Sequence, residues 1–282
     1  MRMAEQSKYH ANVFHVSDLD DPRLDDYRDI KDRDLLGRDG YPGLFVGEQP
    51  LIVEKLLAKP GATKSVLLMP QWLDRLAPLA GDDVPIYVAT SELLEKVAGY
   101  RVHRGALAMG YRDKIERSDL SSVLSNDQQP LTLLLCQDIT NIDNIGLLFR
   151  NAAAFGVDGV LLSSSCHDPL YRKSLRVAIG HTLNVPFARS SDWLGDLEQL
   201  KNKWDITLIA AATSKQAVEL DRIERPKRVG LVLGSEYSGL PTDTLEMCDH
   251  IAKVPMADGV DSLNVAVAAA VCLHRFSSAM RM

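Results

Sequence analysis

Gly230-Leu-Val-Leu-Gly-Ser-Glu-Tyr-Ser-Gly-Leu-Pro241 is an apolar run that ends in a polar turn with two glycines. The run predicts a buried strand, and Gly234 and Gly239 permit a close backbone approach in the turn. Residues 133–150 read as a strand, a polar loop and a helix with an arginine near its start, and residues 260–267 place polar groups at the opening of another helix. Ligands of open α/β sheets bind outside the carboxyl ends of strands, so these segments predict one shared site.

The second half of the chain alternates apolar strands with helices. Strands are expected at residues 131–136, 159–162, 206–211, 229–233 and 251–254, and helices at 144–155, 170–179, 192–203, 242–248 and 263–276. This alternation predicts a parallel sheet that helices cover on both faces. A nicotinamide-dependent oxidoreductase would suit the pattern, but its GxGxxG fingerprint is missing after the first strand, as is a GxxxxGK[ST] phosphate loop.

Composition divides the chain into four parts. Residues 1–40 are polar and Asp-rich, which predicts an acidic N-terminal arm without a core of its own. Residues 41–117 alternate short strands and helices, as expected of a small α/β domain. Polar residues crowd into 118–130, the expected linker. Residues 131–282 then form the larger domain.

Length and composition narrow the class of protein. With 282 residues, 46% of them hydrophobic, the chain can bury a sizeable core. No apolar run reaches the roughly 18 residues that a membrane span needs. The N-terminus lacks the apolar stretch of a signal peptide, so we expect a cytoplasmic protein.

The four cysteines and seven histidines show no metal-binding pattern. Cys136, Cys166, Cys248 and Cys272 are scattered without CxxC spacing and are expected to be buried free thiols. The histidines lack HExxH or other ligand spacing, so no metal is expected.

The net charge of −6 argues against a protein that holds nucleic acid through its overall field. One segment nevertheless has a local excess of positive charge, contributed by Arg101, Arg104, Arg112 and Lys114. These residues either bind phosphate groups or form a solvated charged face, and the sequence leaves both interpretations open.

Ser262 and Asn264 stand at the opening of the last predicted helix. Ser262 can cap this helix, because a serine oxygen accepts an N–H group of the first turn. Capping by Ser262 leaves Asn264 unexplained. Its amide either bonds locally, stays in water or contacts a polar ligand.

Three ordered motifs resemble those of the SpoU/TrmH family of RNA ribose 2′-O-methyltransferases. They are Asn144-Ile-Gly146 with Arg150, Gly234-Ser-Glu236 with Gly239-Leu240, and Pro255-Met256 with Ser262-Leu-Asn264. This resemblance covers residues 131–276. A second one, carried by Leu44-Phe-Val-Gly-Glu48 and His103-Arg-Gly-Ala-Leu-Ala108, links residues 43–108 to the family's ribosomal-protein-like RNA-binding domain.

The resemblance implies a fold, a cofactor and a reaction. The C-terminal segment of the sheet would thread a loop to form a deep trefoil knot, with S-adenosylmethionine bound in it and parts of the site shared across a homodimer. The implied reaction is methyl transfer to a ribose 2′-hydroxyl of structured RNA, with ribosomal RNA favoured over transfer RNA. The residues implied at the cofactor are Leu233, Gly234, Ser235, Gly239, Val254, Pro255, Met256, Ser262, Leu263 and Asn264.

The resemblance also implies catalytic residues, namely Arg150, Asn144, Glu236, Ser262 and Asn264. A guanidinium can grip a phosphate and stabilise the alkoxide that develops as the 2′-hydroxyl loses its proton. Because arginine side chains stay protonated, the proton is expected to pass to a phosphate oxygen or water. The plainer interpretations are a solvent-exposed helix arginine at 150 and a solvated turn carboxylate at 236.

The chain departs from the family pattern at two places. Arg176 and Gly180 match an Arg-x-Ser-x-Gly motif, which implies an RNA contact at Arg176, but Ala178 replaces the serine. Asn141-Ile142 replaces an Asp-Pro pair, which removes no catalytic group. The alternative function is a knotted protein that binds RNA without methylating it.

Overall fold

The fold is described from a computed structural model of the chain. It describes residues 12–36, 43–124, 130–214, 216–235 and 237–277. The strands are β1 Val13–His15, β2 Leu44–Glu48, β3 Thr63–Leu68, β4 Ile86–Val88, β5 Ala106–Tyr111, β6 Glu116–Arg117, β7 Leu131–Cys136, β8 Gly159–Leu162, β9 Phe187–Arg189, β10 Thr207–Ala211, β11 Val218–Glu219, β12 Arg228–Leu233 and β13 His250–Lys253. The helices are α1 Pro50–Leu57, α2 Leu73–Leu76, α3 Ser91–Ala98, α4 Ile142–Ala154, α5 Arg172–Val177, α6 Trp193–Asn202, α7 Thr242–Met247 and α8 Val265–Phe276.

The chain divides into two compact units. Unit 1 holds the described residues up to Ile115 together with Leu170–Leu183. Its five-stranded sheet has the order β1-β4-β3-β5-β2. β1, β4 and β3 are parallel, whereas β5 runs antiparallel to both β3 and β2. Apolar side chains of α3, such as Leu94 and Val97, bury one face of the sheet.

The Asp-rich N-terminal segment is not the separate arm that its composition predicts. β1 pairs with β4 at the edge of the unit 1 sheet, and Leu24, Tyr27 and Ile30 are buried in the core of this unit. Tyr27 Oη also shares a 2.8 Å hydrogen bond with Ser65 Oγ. A few spaced apolar side chains therefore anchor the described part of the segment, 12–36, in spite of its aspartates.

Unit 2 holds Glu116–Pro169 and the described residues from Asn184 onward. Its eight-stranded sheet has the order β11-β13-β10-β12-β7-β8-β9-β6, and all of these neighbours pair in parallel. The prediction of an α/β fold with a parallel sheet is thus confirmed. The longest strands are buried at every position, because helices cover both faces.

The first part of the predicted linker, 118–130, contributes to the core of unit 2. Leu120 and Leu124 are buried there, and β6, just before them, pairs with β9 at the sheet edge. Their apolar side chains stand among serines, which hid them in a segment judged by its polar composition. Residues 125–129 lie outside the described residues.

Residues from the middle of the chain complete unit 1. Lys55 Nζ of α1 donates a 2.6 Å hydrogen bond to the carbonyl of Ile179. The backbone N–H of Arg172 donates to Asp32 Oδ1 at 2.8 Å, and its guanidinium lies 4.1 Å from the ring centroid of Tyr100. Unit 1 is thus built from two separate stretches of chain.

The cysteines are free thiols, and Cys136, Cys166 and Cys272 are buried, as predicted. Cys248 is partly buried. Burial raises the pKa of the Cys248 and Cys272 thiols to about 12, so both stay protonated near neutral pH.

None of the helices among the described residues is long and apolar enough to cross a membrane. The same residues contain no group of three or more His, Cys, Asp or Glu side chains that could hold a metal ion.

Candidate active site

A cavity of about 440 Å³ opens at the carboxyl ends of three neighbouring strands of unit 2. These strands are β13, β10 and β12, and their ends supply Val254, Ala212 and Gly234 to the wall. The volume lies within the range of small-molecule sites, roughly 300–1,000 Å³. The cavity therefore occupies the position that the parallel sheet predicts for a ligand.

A tight glycine turn forms one wall of this cavity. Gly239 N–H donates to the Ser235 carbonyl at 3.0 Å, and Gly239 has a φ of +66°. A Cβ atom on Gly234 would lie 2.5 Å from the carbonyl carbon of Gly239 and 2.7 Å from the Leu240 nitrogen. The close backbone approach predicted from the glycines is confirmed, and Gly234 leaves no room for a side chain.

The segment that leads into α8 forms another part of the wall. Ser262 and Leu263 line the cavity, but the residue that caps the helix is Asn264. Its Oδ1 accepts the N–H groups of Ala266 at 2.9 Å and Val267 at 3.3 Å. The prediction that Ser262 caps this helix was wrong. α8 begins two residues later than expected, and asparagine is as good a capping residue as serine.

Asn264 also links the first and third motifs. Its Nδ2 donates a 2.9 Å hydrogen bond to Oδ1 of Asn144, a buried residue in the first turn of α4. Asn144 does not cap α4, because Asn141 accepts the N–H groups of Asp143 and Asn144 instead. Both asparagine side chains of the motifs are therefore committed to fixed positions beside the cavity.

Arg150 lies in the middle of α4, not near its start. It follows Asn144 by six residues, which is about 9 Å along the helix axis. Its side chain is exposed and has no hydrogen-bond or ion-pair partner among the described residues. Asn151, the next residue, faces α8 and donates a 2.7 Å hydrogen bond to the Ala266 carbonyl. The packing of α4 against α8 thus leaves the Arg150 guanidinium available.

The cavity brings together most of the residues that the resemblance implied at a cofactor. Those in its wall are Leu233, Gly234, Ser235, Gly239, Val254, Met256, Ser262 and Leu263. Pro255 is exposed and outside the wall, and Asn264 borders it through its neighbours. Glu236 lies outside the described residues.

Sequence reasoning missed the contribution of β10. Ala211 ends this strand, Ala212, Thr213 and Ser214 follow it, and all four line the cavity. These residues match no motif. Two small residues followed by two hydroxyl-bearing residues at the end of a buried strand are nevertheless a pattern that indicates a ligand-binding loop. The sheet order places this strand end between the two that the motifs identified.

The predicted basic patch is divided by a strand. Arg101 and Arg104 precede β5, whereas Arg112 and Lys114 follow it. Six extended residues separate the two pairs by about 20 Å, because a strand rises about 3.3 Å per residue. The four side chains are therefore close in sequence but form two separate groups in unit 1.

Arg176 lies in α5 of unit 1, where it meets an acidic partner. Its Nη1 is 3.7 Å from Oε2 of Glu48, a carboxylate that is only 1% exposed. A buried carboxylate without a counter-charge is unfavourable, so this ion pair gives Arg176 a structural role. The RNA contact implied for Arg176 stays a prediction.

Comparison with known proteins agrees with these motifs. Residues 131–274 match the model of the SpoU rRNA Methylase family. The chain belongs to the SpoU rRNA methylase family. Every residue that lines the cavity lies within this match.

Two relatives of this SpoU family member align with more of the chain than the family model matches. A Mycobacterium tuberculosis protein described as an uncharacterized tRNA/rRNA methyltransferase is 34% identical over 270 residues, covering 93% of this chain and 91% of the relative. The 23S rRNA (guanosine-2′-O-)-methyltransferase RlmB of Haemophilus influenzae is 32% identical over 207 residues, covering 71% of this chain and 82% of RlmB. The family resemblance read from the motifs is confirmed.

Solved structures share the fold of this SpoU family member. An rRNA methyltransferase from Sinorhizobium meliloti superposes with a TM-score of 0.77 at 21% identity, covering 94% of this chain and 97% of the other. The SpoU methyltransferase AviRb of Streptomyces viridochromogenes, in complex with AdoMet, gives 0.73 at 20% identity, covering 90% and 96%. At these identities the likeness concerns the fold.

Proposed function

We propose that the protein transfers a methyl group from S-adenosylmethionine to a ribose 2′-hydroxyl of ribosomal RNA. The observation that carries the proposal is the hydrogen bond between Asn144 and Asn264, which holds the first and third family motifs together beside the cavity. The family match and the similarity to RlmB, a ribosomal RNA 2′-O-methyltransferase by name, support it.

The cavity suits the proposed cofactor. Leu233, Val254 and Leu263 offer apolar surface for an adenine ring, and the hydroxyls of Thr213 and Ser262 offer hydrogen bonds for polar groups. The side-chain-free turn at Gly234 lets a ligand approach the backbone closely. When bound, S-adenosylmethionine supplies a methyl group that its sulfonium centre already activates.

The residues of the chain then have to orient the 2′-hydroxyl and stabilise its developing charge. Arg150 binds the neighbouring phosphate and stabilises the alkoxide, since its guanidinium is exposed and charged. Asn144 and Asn264 hold the start of α4 and of α8 in register, and Ser262 contacts the ligand from the wall. Glu236 is proposed to order the active-site loops by accepting hydrogen bonds from backbone N–H groups. The proton leaves to a phosphate oxygen or to water.

We further propose that the C-terminal segment forms a trefoil knot. α8 follows β13 in the chain but packs on α4, which follows β7. β10 and β12 separate β13 from β7 in the sheet, so the chain crosses both before it reaches α4. Such a crossing supports the knotted path that the family implies.

We also propose a homodimer that pairs through α8. Val267 and Val271 lie four residues apart on one side of this helix, and their side chains are 51% and 37% exposed. An apolar stripe of this kind is unfavourable in water and fits a second copy of itself across a two-fold axis. Arg150 would then act in the site of the partner subunit.

Unit 1 is proposed to bind RNA through its basic side chains. Arg101 and Arg104 form one candidate contact, Arg112 and Lys114 a second, and Arg176 a third. A cytoplasmic location stays a prediction.

Calorimetry and a transfer assay test the proposed function together. The wild-type protein should bind S-adenosylmethionine and move its labelled methyl group to ribosomal RNA. Arg150→Ala should lower transfer by about a hundredfold or more while cofactor affinity stays within about twofold. Methyl transfer by Arg150→Lys should lie between that of the wild type and that of Arg150→Ala, because an ammonium group keeps the charge but cannot make a bidentate contact.

Arg222→Ala is the matched control, since Arg222 is an exposed arginine of unit 2 that pairs with Glu219. It should keep full activity. Failure of the wild-type protein to bind the cofactor at millimolar concentration would refute methyl transfer and leave the alternative of an RNA-binding protein without catalysis. An active Arg150→Ala variant would refute the role of that residue alone.

A further inference from the structure

Two loops of unit 1 meet around the side chain of Trp72. A 3-10 turn, Pro70–Trp72, follows β3, and a second one, His103–Gly105, precedes β5. β3 and β5 are antiparallel neighbours, so the turn after β3 and the turn before β5 lie at the same end of these strands. Met69 N–H donates to the Gly105 carbonyl at 2.9 Å, and Trp72 Nε1 donates to the Arg104 carbonyl at 2.6 Å. The indole is therefore held in place by its polar edge.

The second turn, which contains Arg104, has an unusual backbone conformation. Arg104 has a φ of +69° and Gly105 a φ of +66°, both in the left-handed region. A Cβ on Gly105 would meet the side chain of Met69, and the left-handed backbone at this position also favours glycine. Left-handed backbone is uncommon for arginine. The hydrogen bond from Trp72 helps to hold it.

One guanidinium lies over the indole, and a second arginine belongs to the turn that the indole contacts. The Arg75 guanidinium carbon lies 5.9 Å from the ring centroid of Trp72, and the Arg75 side chain is 51% exposed. Arg104 is exposed, and its side chain has no partner among the described residues. Trp72 itself is half-buried. A half-buried aromatic ring thus lies next to Arg75 and to the turn that carries the exposed Arg104.

We propose that Trp72 is a stacking platform for an unpaired RNA base, with Arg75 and Arg104 binding the adjacent phosphates. This inference rests on the proposed function for its choice of RNA as the partner. Aromatic side chains next to arginines suit single-stranded nucleic acid, because every base has a face that can stack and every linkage has a phosphate. Tyr100, the aromatic residue next to the basic segment in sequence, is covered by Arg172 and cannot serve.

The test separates stacking from charge by using two RNA probes without any cofactor. One is a fluorescein-labelled 12-nucleotide oligoadenylate, and the other has the same length and phosphates but abasic riboses. Fluorescence anisotropy should show that the wild-type protein binds oligoadenylate more tightly. Trp72→Ala should lose about tenfold in affinity for oligoadenylate and little for the abasic strand. Trp72→Phe should retain most of the difference, because it keeps an aromatic face.

Arg75→Ala and Arg104→Ala should weaken binding of both probes and lower the dependence of affinity on salt. Lys96→Ala is the matched charge control, because Lys96 is an exposed cation of unit 1 that pairs with an acidic residue, as Arg75 does. Leu79→Ala is the matched control for loss of an exposed apolar side chain. Both controls should bind as the wild type does.

Equal affinity of the wild-type protein for the two probes, or no binding of either, would overturn the stacking proposal. So would a Trp72→Ala variant that still prefers oligoadenylate. Neither result bears on cofactor binding or on methyl transfer to ribosomal RNA, which are measured separately. If RNA bases stack on Trp72 but the protein transfers no methyl group, the proposed function is refuted and the stacking proposal is retained.

Discussion

The side chain of Asn264 makes three hydrogen bonds with two different purposes. Oδ1 accepts two N–H groups at the start of α8, and Nδ2 donates to Asn144 on α4. An amide does both, because its oxygen accepts the helix N–H groups while its NH₂ group donates, whereas an aspartate in this place would cap the helix and offer no donor. A single residue therefore stabilises a helix and fixes its position relative to another.

Substitutions at position 264 can separate these purposes. Asn264→Asp keeps the cap, so the melting temperature should stay within about 2 °C of the wild type, whereas cofactor affinity should fall several-fold as Asn144 loses its donor. Asn264→Ala removes both contributions and should lower the free energy of unfolding by about 1–2 kcal/mol. Thermal melts and calorimetry with S-adenosylmethionine measure the two effects.

Ser262→Ala serves as the control for position 264. Ser262 does not cap α8, so its loss should change the free energy of unfolding by less than about 0.5 kcal/mol. A large destabilisation of Ser262→Ala, or unchanged cofactor affinity in Asn264→Asp, would contradict the assignment.

The sequence predicted residue types at the site better than residue roles. The motif glycines and the polar loops lie at the cavity, whereas Arg150 lies in the middle of α4 and not near its start. The roles of Ser262 and Asn264 could not be separated, because a shift of two residues in the helix start changes which side chain caps it, and both types cap equally well. The bond between Asn144 and Asn264 joins residues 120 positions apart and leaves no local pattern.

At the scale of elements, the strands that the sequence failed to predict are all short, although β4, which has three residues, was predicted. β7, β8, β10 and β12 are apolar runs of four to six residues, and the predicted strands match them within one residue. β1, β6, β9 and β11 were missed, since they have only two or three residues each. A run this short shows no period, and its pairing depends on a partner strand that is distant in sequence. The same limit hid the contribution of Leu24 and Tyr27 to unit 1.

The glycine turn after β12 should tolerate no side chain at Gly234. In Gly234→Ala the new methyl group would meet backbone atoms of Gly239 and Leu240, which cannot rotate away as a side chain can. The turn must open, so cofactor affinity should drop by about tenfold or more and the free energy of unfolding by about 1–3 kcal/mol. Calorimetry and chemical denaturation measure these changes.

Ser235→Ala is the matched control in the same turn, because it removes an atom and adds none. It gives up the hydrogen bond from Tyr237 N–H to Ser235 Oγ, and cofactor affinity should change by less than about threefold. Full cofactor affinity in Gly234→Ala would show that the ligand does not rest on this turn.

At the scale of the whole molecule, the main surprise is that unit 1 is discontinuous. Leu170–Leu183 lies inside the stretch that matches the SpoU family model, yet it packs with α1 and β2 of unit 1. Sequence composition divides a chain only at points along its length, so it cannot predict a domain that takes a segment from further along. Arg172, Arg176 and Lys55 tie this segment to unit 1 through specific polar contacts. A truncated chain that ends near residue 117 would lack these contacts.

The proposed homodimer can be tested by a substitution on the exposed side of α8. If α8 pairs with its copy, Val267→Lys should place a charge in the interface, and sedimentation velocity should show monomers at concentrations where the wild type is dimeric. Leu194→Lys is the matched control, because Leu194 is a similarly exposed side chain of unit 2 on α6, away from the stripe. It should stay dimeric.

If Arg150 acts in the partner's site, then mixing inactive Arg150→Ala with inactive Gly234→Ala should restore part of the methyl transfer. Each mixed dimer then holds one site with an intact glycine turn and a wild-type Arg150 from the other copy. Restored activity that depends on mixing identifies action across the interface, whereas a mixture as inactive as its components would place Arg150 in the site of its own subunit.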